Sequence, residues 1–160
     1  MSSTQQQNPA CASSLTEELD SQECQVLSNI MGVRKLHDGE TVVTEGEANT
    51  TLFALTSGRL AVTSKVDDNE LVVYTMKPGE CAGTRAFVDR KPRKATLRSV
   101  GESTVYTLEP EAFESLLESH PRIVYKVMRA LFRITHANLM HMNMESQALS
   151  NYINKTGGRY

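Results

Sequence analysis

Tryptophan is missing from this sequence, and Phe and Tyr are few: aromatic residues make up 6% of the chain. The stacking surfaces on which nucleic acid bases rest are therefore scarce. A strong charge of either sign is also missing. Lys and Arg number 17 against 19 Asp and Glu, a formal net charge of −2, which argues against broad binding to DNA, RNA or an anionic membrane. No apolar run approaches the length of a membrane span. The N-terminus, MSSTQQQNPACASS, has neither a basic start nor an apolar stretch, so it does not read as a secretory signal. Cysteine is sparse. Cys11, Cys24 and Cys81 are odd in number and far apart, and read as reduced thiols of a cytoplasmic protein rather than a disulfide frame. His37, His120, His136 and His141 do not converge at metal-ligand spacing, and surface histidines are expected. There is no Gly-x-Ser-x-Gly turn and no matched Ser/His/Asp pattern. A metal-dependent enzyme of the cupin type would need His or Glu clustered in strands, which this sequence does not offer. The expectation is a protein without catalytic residues, metal or cofactor.

What is present is the composition of one soluble domain: 160 residues, 39% hydrophobic and 22% charged. Residues 1–13 read as a disordered, polar, proline-bearing tail. Residues 14–152 read as the domain and 153–160 as a flexible C-terminal tail. Within 14–31 the pattern is helical, kinked near Asp20. Ser14 with Glu17 and Asp20 with Glu23 have capping-box spacing, and Gly32 is a natural stop. From Val33 to Glu109 the pattern turns to strands. Runs at Val33–Leu36, Thr41–Glu45, Leu52–Leu55, Leu60–Lys65 and Leu71–Met76 are separated by turns at His37-Asp38-Gly39, Ser57-Gly58, Asp67-Asp68-Asn69 and Pro78-Gly79. Ala95–Val100 and Thr104–Leu108 are expected to pair across Gly101-Glu102. The fold class read from this is mainly β with flanking helices: an eight-stranded, jelly-roll-like double-stranded β-helix with N-terminal helices and a long C-terminal helix.

From Pro110 the period is helical again, with a break near His120-Pro121. A long helix is expected over 121–151. Val124, Val127, Leu131, Ile134, Asn138 and Met142 fall at steps of three and four, a coiled-coil-like seam with one polar member. The expected assembly is a homodimer through this helix. The competing reading packs the stripe on the chain's own domain. Met128, Met140, Met142 and Met144 read as packing residues on or beside the seam.

The stretch GTRAFVDRKPRKAT, residues 83–96, gathers Arg90, Lys91, Arg93 and Lys94 around Pro92 between β-like segments. Either an anion sits there or the loop is simply solvated and basic. Three stretches together resemble the cyclic-nucleotide-binding domain family, which includes the catabolite activator protein and the regulatory subunits of cAMP-dependent protein kinase. LHDGETVVTEGEANTTLFALTSGRLAV is similar to that family's opening. MKPGECAGTRAFVDRKPRKAT resembles its phosphate-binding cassette, where Pro-Gly-Asp precedes Phe-Gly-Glu-Leu-Ala-Leu and a Pro-Arg-x-Ala-Thr close. The segment from Pro110 resembles its final helices. The resemblance implies a cyclic nucleotide ligand, cAMP or cGMP. Its phosphate would be held by the N–H of Ala86, the Arg93 side chain and the backbone at Lys94. Gly83 would open the cassette, and small Ala95 and Thr96 would let the next strand approach. The chemistry suits a phosphodiester: a helix start favours an anion, and a guanidinium can donate two hydrogen bonds to it.

The sequence departs from the family at the sugar. Where the family has a glutamate for the ribose 2′-hydroxyl, this chain has Thr84; the next position, usually leucine, is Arg85, and Ala82 replaces an aromatic. A hydroxyl is a weaker acceptor than a carboxylate. Arg85 reads either as a second cation for a more phosphorylated ligand or as an outward-facing residue beside a vestigial pocket. By resemblance to dimeric relatives Asn138, with Leu139, would approach the base, although an Asn at a seam also sets helix register. Activator relatives continue into a DNA-reading domain; none is expected here, nor a membrane partner. The reading is a regulatory sensor signalling through its terminal helices to an unknown protein partner. The alternative is a ligand-independent interaction module on the same fold.

Overall fold

The structure, a computed structural model, describes residues 8–137. The Asp20 carboxylate starts the first full helix by accepting the Glu23 N–H at 2.8 Å, while the Glu23 carboxylate accepts the Asp20 N–H at 3.1 Å. This reciprocal box satisfies two backbone donors that a helix start leaves open. Helix α1 (Ser21–Asn29) follows and buries Cys24 and Leu27. Asp20→Ala should lower the stability of the domain by about 1 kcal/mol, measured as a lower urea midpoint at unchanged slope.

The expected kink near Asp20 is present: a short 3-10 turn, Ser14–Thr16, precedes the helix. The expectation of a disordered tail through residue 13 fails for residues 8–13. Pro9–Cys11 forms another 3-10 turn, with the Asn8 side chain accepting the Ala10 N–H, and Ala10 is only 1% exposed. The reading of the cysteines as free thiols is also overturned. α1 turns Cys24 towards the first turn, and a disulfide joins it to Cys11 with their Cα atoms 6.0 Å apart; Cys81 remains free. The two cysteines lie 13 residues apart in sequence, and their approach depends on the chain reversal between the two helical pieces.

Six strands follow: β1 (Gly32–Leu36), β2 (Thr41–Val43), β3 (Leu52–Val66), β4 (Asn69–Met76), β5 (Cys81–Ala82) and β6 (Thr96–Leu108). All pairings are antiparallel. β3 and β6 bend halfway, with register shifts between Leu55 and Arg59. Gly58 permits the bend. Its φ is +87°, and a Cβ there would strike the Glu102 carbonyl and Ser103. Beyond the bend β3 exchanges partners. Its first arm pairs with β5 and the second arm of β6; its second arm pairs with β4 and the first arm of β6. Each long strand thus serves twice, and six continuous strands supply the eight segments of a jelly roll. The expected pairing of Ala95–Val100 with Thr104–Leu108 is not made: both lie in β6, and each arm pairs with β3. The β3–β4 hairpin turns on Asp67 and Asp68, both left-handed at φ 51° and 65°, the conformation such tight turns require.

The apolar residues form two clusters. Phe53, Leu55, Leu60, Leu97 and Val105 pack inside the sandwich with Leu36, Val43 and Met76. At its end, Leu15, Leu27, Leu52 and Leu108 meet the helices. These are α2 (Thr84–Asp89), α3 (Pro110–Glu114), α4 (Leu116–Ser119) and α5, the helix described over residues 121–137. No helix among the described residues is long and apolar enough to cross a membrane.

α5 corrects the expected seam. Val127 and Leu131 are buried in the chain's own helical cluster, and Val124 packs against it. The stripe left exposed is Tyr125, Met128 and Phe132. Ile134 is half-buried, and Asn138 and Met142, the last two seam positions, lie outside the described residues. On the flank facing α1, cations of α5 meet acids of the N-terminal segment: Lys126 Nζ lies 2.6 Å from Glu23, and Arg129 and Arg133 lie 3.4 and 3.3 Å from Glu18.

Candidate functional site

Gly83 ends the short strand β5 and begins α2. It serves as N-cap in the left-handed region at φ +90°, and a side chain there would run into the Arg93 guanidinium. Two demands, backbone conformation and close approach, therefore select glycine. α2 starts at Thr84, two residues before the expected start near Ala86. Thr84 and Arg85 accordingly belong to its first turn. Ala86 and Phe87 are buried, and the Phe87 ring lies 5.5 Å from that of Phe113 on α3. The cassette helix is thus anchored in the same cluster that holds α3 and α5.

Arg93 arrives from the far side of the loop. Its N–H donates to the Glu47 carbonyl at 3.0 Å and its carbonyl accepts the Gly46 N–H at 2.8 Å, so the 45–47 loop fixes its backbone. The side chain turns inward and is 6% exposed. Nη2 donates to the Thr51 carbonyl and, at 3.4 Å, to Asn49 Oδ1. The guanidinium carbon sits 5.3 Å from the centroid of the Phe53 ring, a cation–π distance. Nε and Nη1 are buried with no hydrogen-bond partner, and among the described residues no carboxylate forms an ion pair with Arg93. Burial pushes its pKa down, with Glu47 and Glu109 opposing. The Glu109 carboxylate is itself taken up by the Thr51 hydroxyl at 2.7 Å. A buried cation with two idle donors is costly unless an anion completes it.

The rest of the basic cluster divides. Arg90, left-handed at φ 60°, donates to Glu111 at 2.9 Å and Glu114 at 2.8 Å on α3. Lys91 and Lys94 are exposed. Arg85 is 60% exposed in its side chain and stands 3.9 Å from Asp89, one turn along the same helix. That exposure is what the outward-facing reading of Arg85 expects. Ala95 is half-buried and Thr96 buried; the Thr96 hydroxyl accepts the Glu45 N–H at 2.9 Å, so it fastens the loop. Gly83 and Arg93 are thus brought together, with Ala86 buried in the first turns of α2, while Arg85 and Lys94 face solvent. Asn138 lies outside the described residues. Asn49, Thr51, Phe53 and Glu109 were missed in the sequence. Each acts through a contact spanning 40 or more residues, and none carries a local signal. Among the described residues, no three of His, Cys, Asp and Glu gather as a metal site.

Residues 33–120 match the family model of the cyclic nucleotide-binding domain. The chain is similar to a cAMP-dependent protein kinase regulatory subunit of Yarrowia lipolytica, 32% identical over 103 residues, which are 64% of this chain and 27% of that protein. Among solved structures, the catabolite activator protein of Thermus thermophilus superposes with a TM-score of 0.75 at 21% identity, over 86% of this chain and 63% of that one. The regulatory domain of Toxoplasma gondii PKA with cAMP superposes at 0.60 and 26% identity, over 67% and 41%. The chain therefore spans about a quarter of the kinase subunit it matches. It belongs to the cyclic nucleotide-binding domain family.

Proposed function

We propose that this chain is a non-enzymatic, cytoplasmic sensor that binds the phosphate of a cyclic nucleotide, cAMP or cGMP, between the start of α2 and Arg93. The observation that carries this reading is the Arg93 guanidinium: buried, free of any carboxylate partner among the described residues, and with Nε and Nη1 unused. A cyclic phosphodiester brings one negative charge and two free oxygens, either of which can accept from an unused N–H of that guanidinium. The Toxoplasma gondii relative, crystallised with cAMP, supports the ligand class. Movement of α2 would pass to α3 through Phe87 on Phe113 and through Arg90 on Glu111 and Glu114, and to α5 through the cluster that Phe87 shares with Ile123, Val127 and Leu131. The output we propose is a homodimer through the exposed Tyr125, Met128 and Phe132, whose spacing is that of a heptad seam, acting on a protein partner.

Thr84 favours a second reading. It stands where the resemblance implies a sugar-binding carboxylate, so the pocket would be vestigial and the domain a ligand-independent interaction module. Titration calorimetry separates the two. Heat with cAMP or cGMP that disappears in Arg93→Ala supports the sensor; no heat with either, on folded protein at millimolar ligand, supports the module. If the sensor reading holds, Thr84→Glu should tighten cAMP binding about ten-fold, since a charged acceptor outweighs a neutral one by ~1–1.5 kcal/mol.

A further inference from the structure

The N-terminal segment carries a device that the nucleotide reading does not use. The turn Pro9–Cys11 and the following Ala12–Leu15 lie across the strand that enters the cassette. The Ser14 N–H and hydroxyl both donate to the Gly79 carbonyl, at 2.9 and 3.1 Å. Gly79 and Glu80 are held in turn by Leu55 at 2.8 and 2.9 Å, and β5 and Gly83 follow directly. Cys81 in β5 packs against the cluster that includes Leu15, and burial pushes its thiol pKa up. One end of this strap therefore rests on the approach to α2. Its other end is the disulfide from Cys11 to Cys24 in α1, and α1 is tied to the output helix by Glu23 on Lys126 at 2.6 Å.

We infer that Cys11 and Cys24 are a reversible thiol–disulfide pair whose oxidation clamps the cassette strand to α1 and α5, and whose reduction releases the strap. The chemistry is that of exchange with a dithiol reductant. Cys11 is half-buried, whereas Cys24 is 3% exposed, so Cys11 Sγ is the sulfur open to attack. A reductant thiolate bonds to it and the Cys24 thiolate leaves, to be protonated. The reductant's second thiolate then displaces Cys11, which is protonated in turn. The protein gains two thiols and the reductant becomes its own disulfide. A pair with one half-buried cysteine is open to thiol exchange in a way that a fully buried pair is not. Without the bond, the strap is held by Ser14 and by the packing of Ala10 and Leu15, and its turn regains the freedom that loop closure removes.

The test is hydrogen exchange with mass spectrometry on the full chain, oxidised with glutathione disulfide or reduced with dithiothreitol. Thiols are counted by alkylation, and Cys81→Ser serves as background so that only this pair can react. In the oxidised protein the amides of Ser14 and Gly79–Ala82 should be protected. On reduction they should exchange up to about 100-fold faster, the factor that closing a loop of this size represents, while Leu97 and Val105 in the sandwich stay unchanged. Cys11→Ser should exchange like the reduced protein in both conditions, which removes any general effect of the reductant. No nucleotide is needed, so the outcome is independent of the sensor reading. Two results overturn the inference: failure of Cys11 and Cys24 to form the bond under glutathione disulfide, or equal exchange of Ser14 and Gly79–Ala82 in both redox states.

Discussion

Arg93→Ala should reduce cAMP affinity by about two to four orders of magnitude while leaving the protein folded. Two charge-assisted hydrogen bonds to phosphate are lost, each typically ~1.5–3 kcal/mol, and each ~1.4 kcal/mol is a factor of ten. The stability of the ligand-free chain should change far less, because opposing effects meet at this side chain. Deletion removes a desolvated cation with two unpartnered donors, which favours the folded state. It also removes the donor to the Thr51 carbonyl, the stacking on Phe53 and the filling over Gly83. Thermal melts with and without cAMP read both quantities. The ligand-dependent upward shift should vanish in Arg93→Ala, with the ligand-free midpoint moved by no more than a few degrees. Arg93→Lys separates charge from shape: it keeps the cation and loses the planar fork, so its affinity should fall between the two. An Arg93→Ala protein that binds cAMP within three-fold of the parent would remove this residue from the site.

Some of this was legible in the sequence and some was not, and the division follows the range of the interaction. Asp20-x-x-Glu23 predicts its capping box because both partners lie within one helical turn. Asp67-Asp68 predicts its hairpin for the same reason. The resemblance located the cassette because its glycine, its small residues and its arginine keep a fixed spacing. What surrounds Arg93 was not legible. Thr51 and Asn49 reach it across 42 and 44 residues, and only the curl of β3 brings them there. In the sequence the bends of β3 and β6 look like strand ends, since Gly58 and Gly101 resemble turns in a linear text. The disulfide was missed because spacing alone cannot tell a pair of thiols from a bond. The face of α5 was misread by one position: Val127 and Leu131 have seam spacing, but so do Tyr125, Met128 and Phe132, and the sequence does not say which stripe meets the domain.

That choice of stripe yields the other large expected effect. Leu131→Glu should unfold the domain, whereas Phe132→Glu, one residue further on, should leave it folded and monomeric. Leu131 is 2% exposed within the helical cluster that also holds Leu27, Phe113 and Val127. An unpaired carboxylate there costs about 3–5 kcal/mol, on top of the ~2–5 kcal/mol of lost apolar packing. A domain of ordinary stability has about 5–15 kcal/mol in all, so the variant should be largely unfolded or aggregated. Phe132 is 72% exposed, and its ring stacks on His136 of its own helix. Its replacement should shift the stability of the monomer by no more than ~0.5 kcal/mol. Across the proposed seam, however, each copy would set a carboxylate against the apolar Tyr125 and Met128 of the other, and the two carboxylates would face one another. Sedimentation equilibrium with parallel urea melts reads both outcomes. A Phe132→Glu protein that still sediments as a dimer would take the exposed stripe of α5 out of the assembly. A Leu131→Glu protein with the parent's urea midpoint would show that the helix does not seal the end of the sandwich.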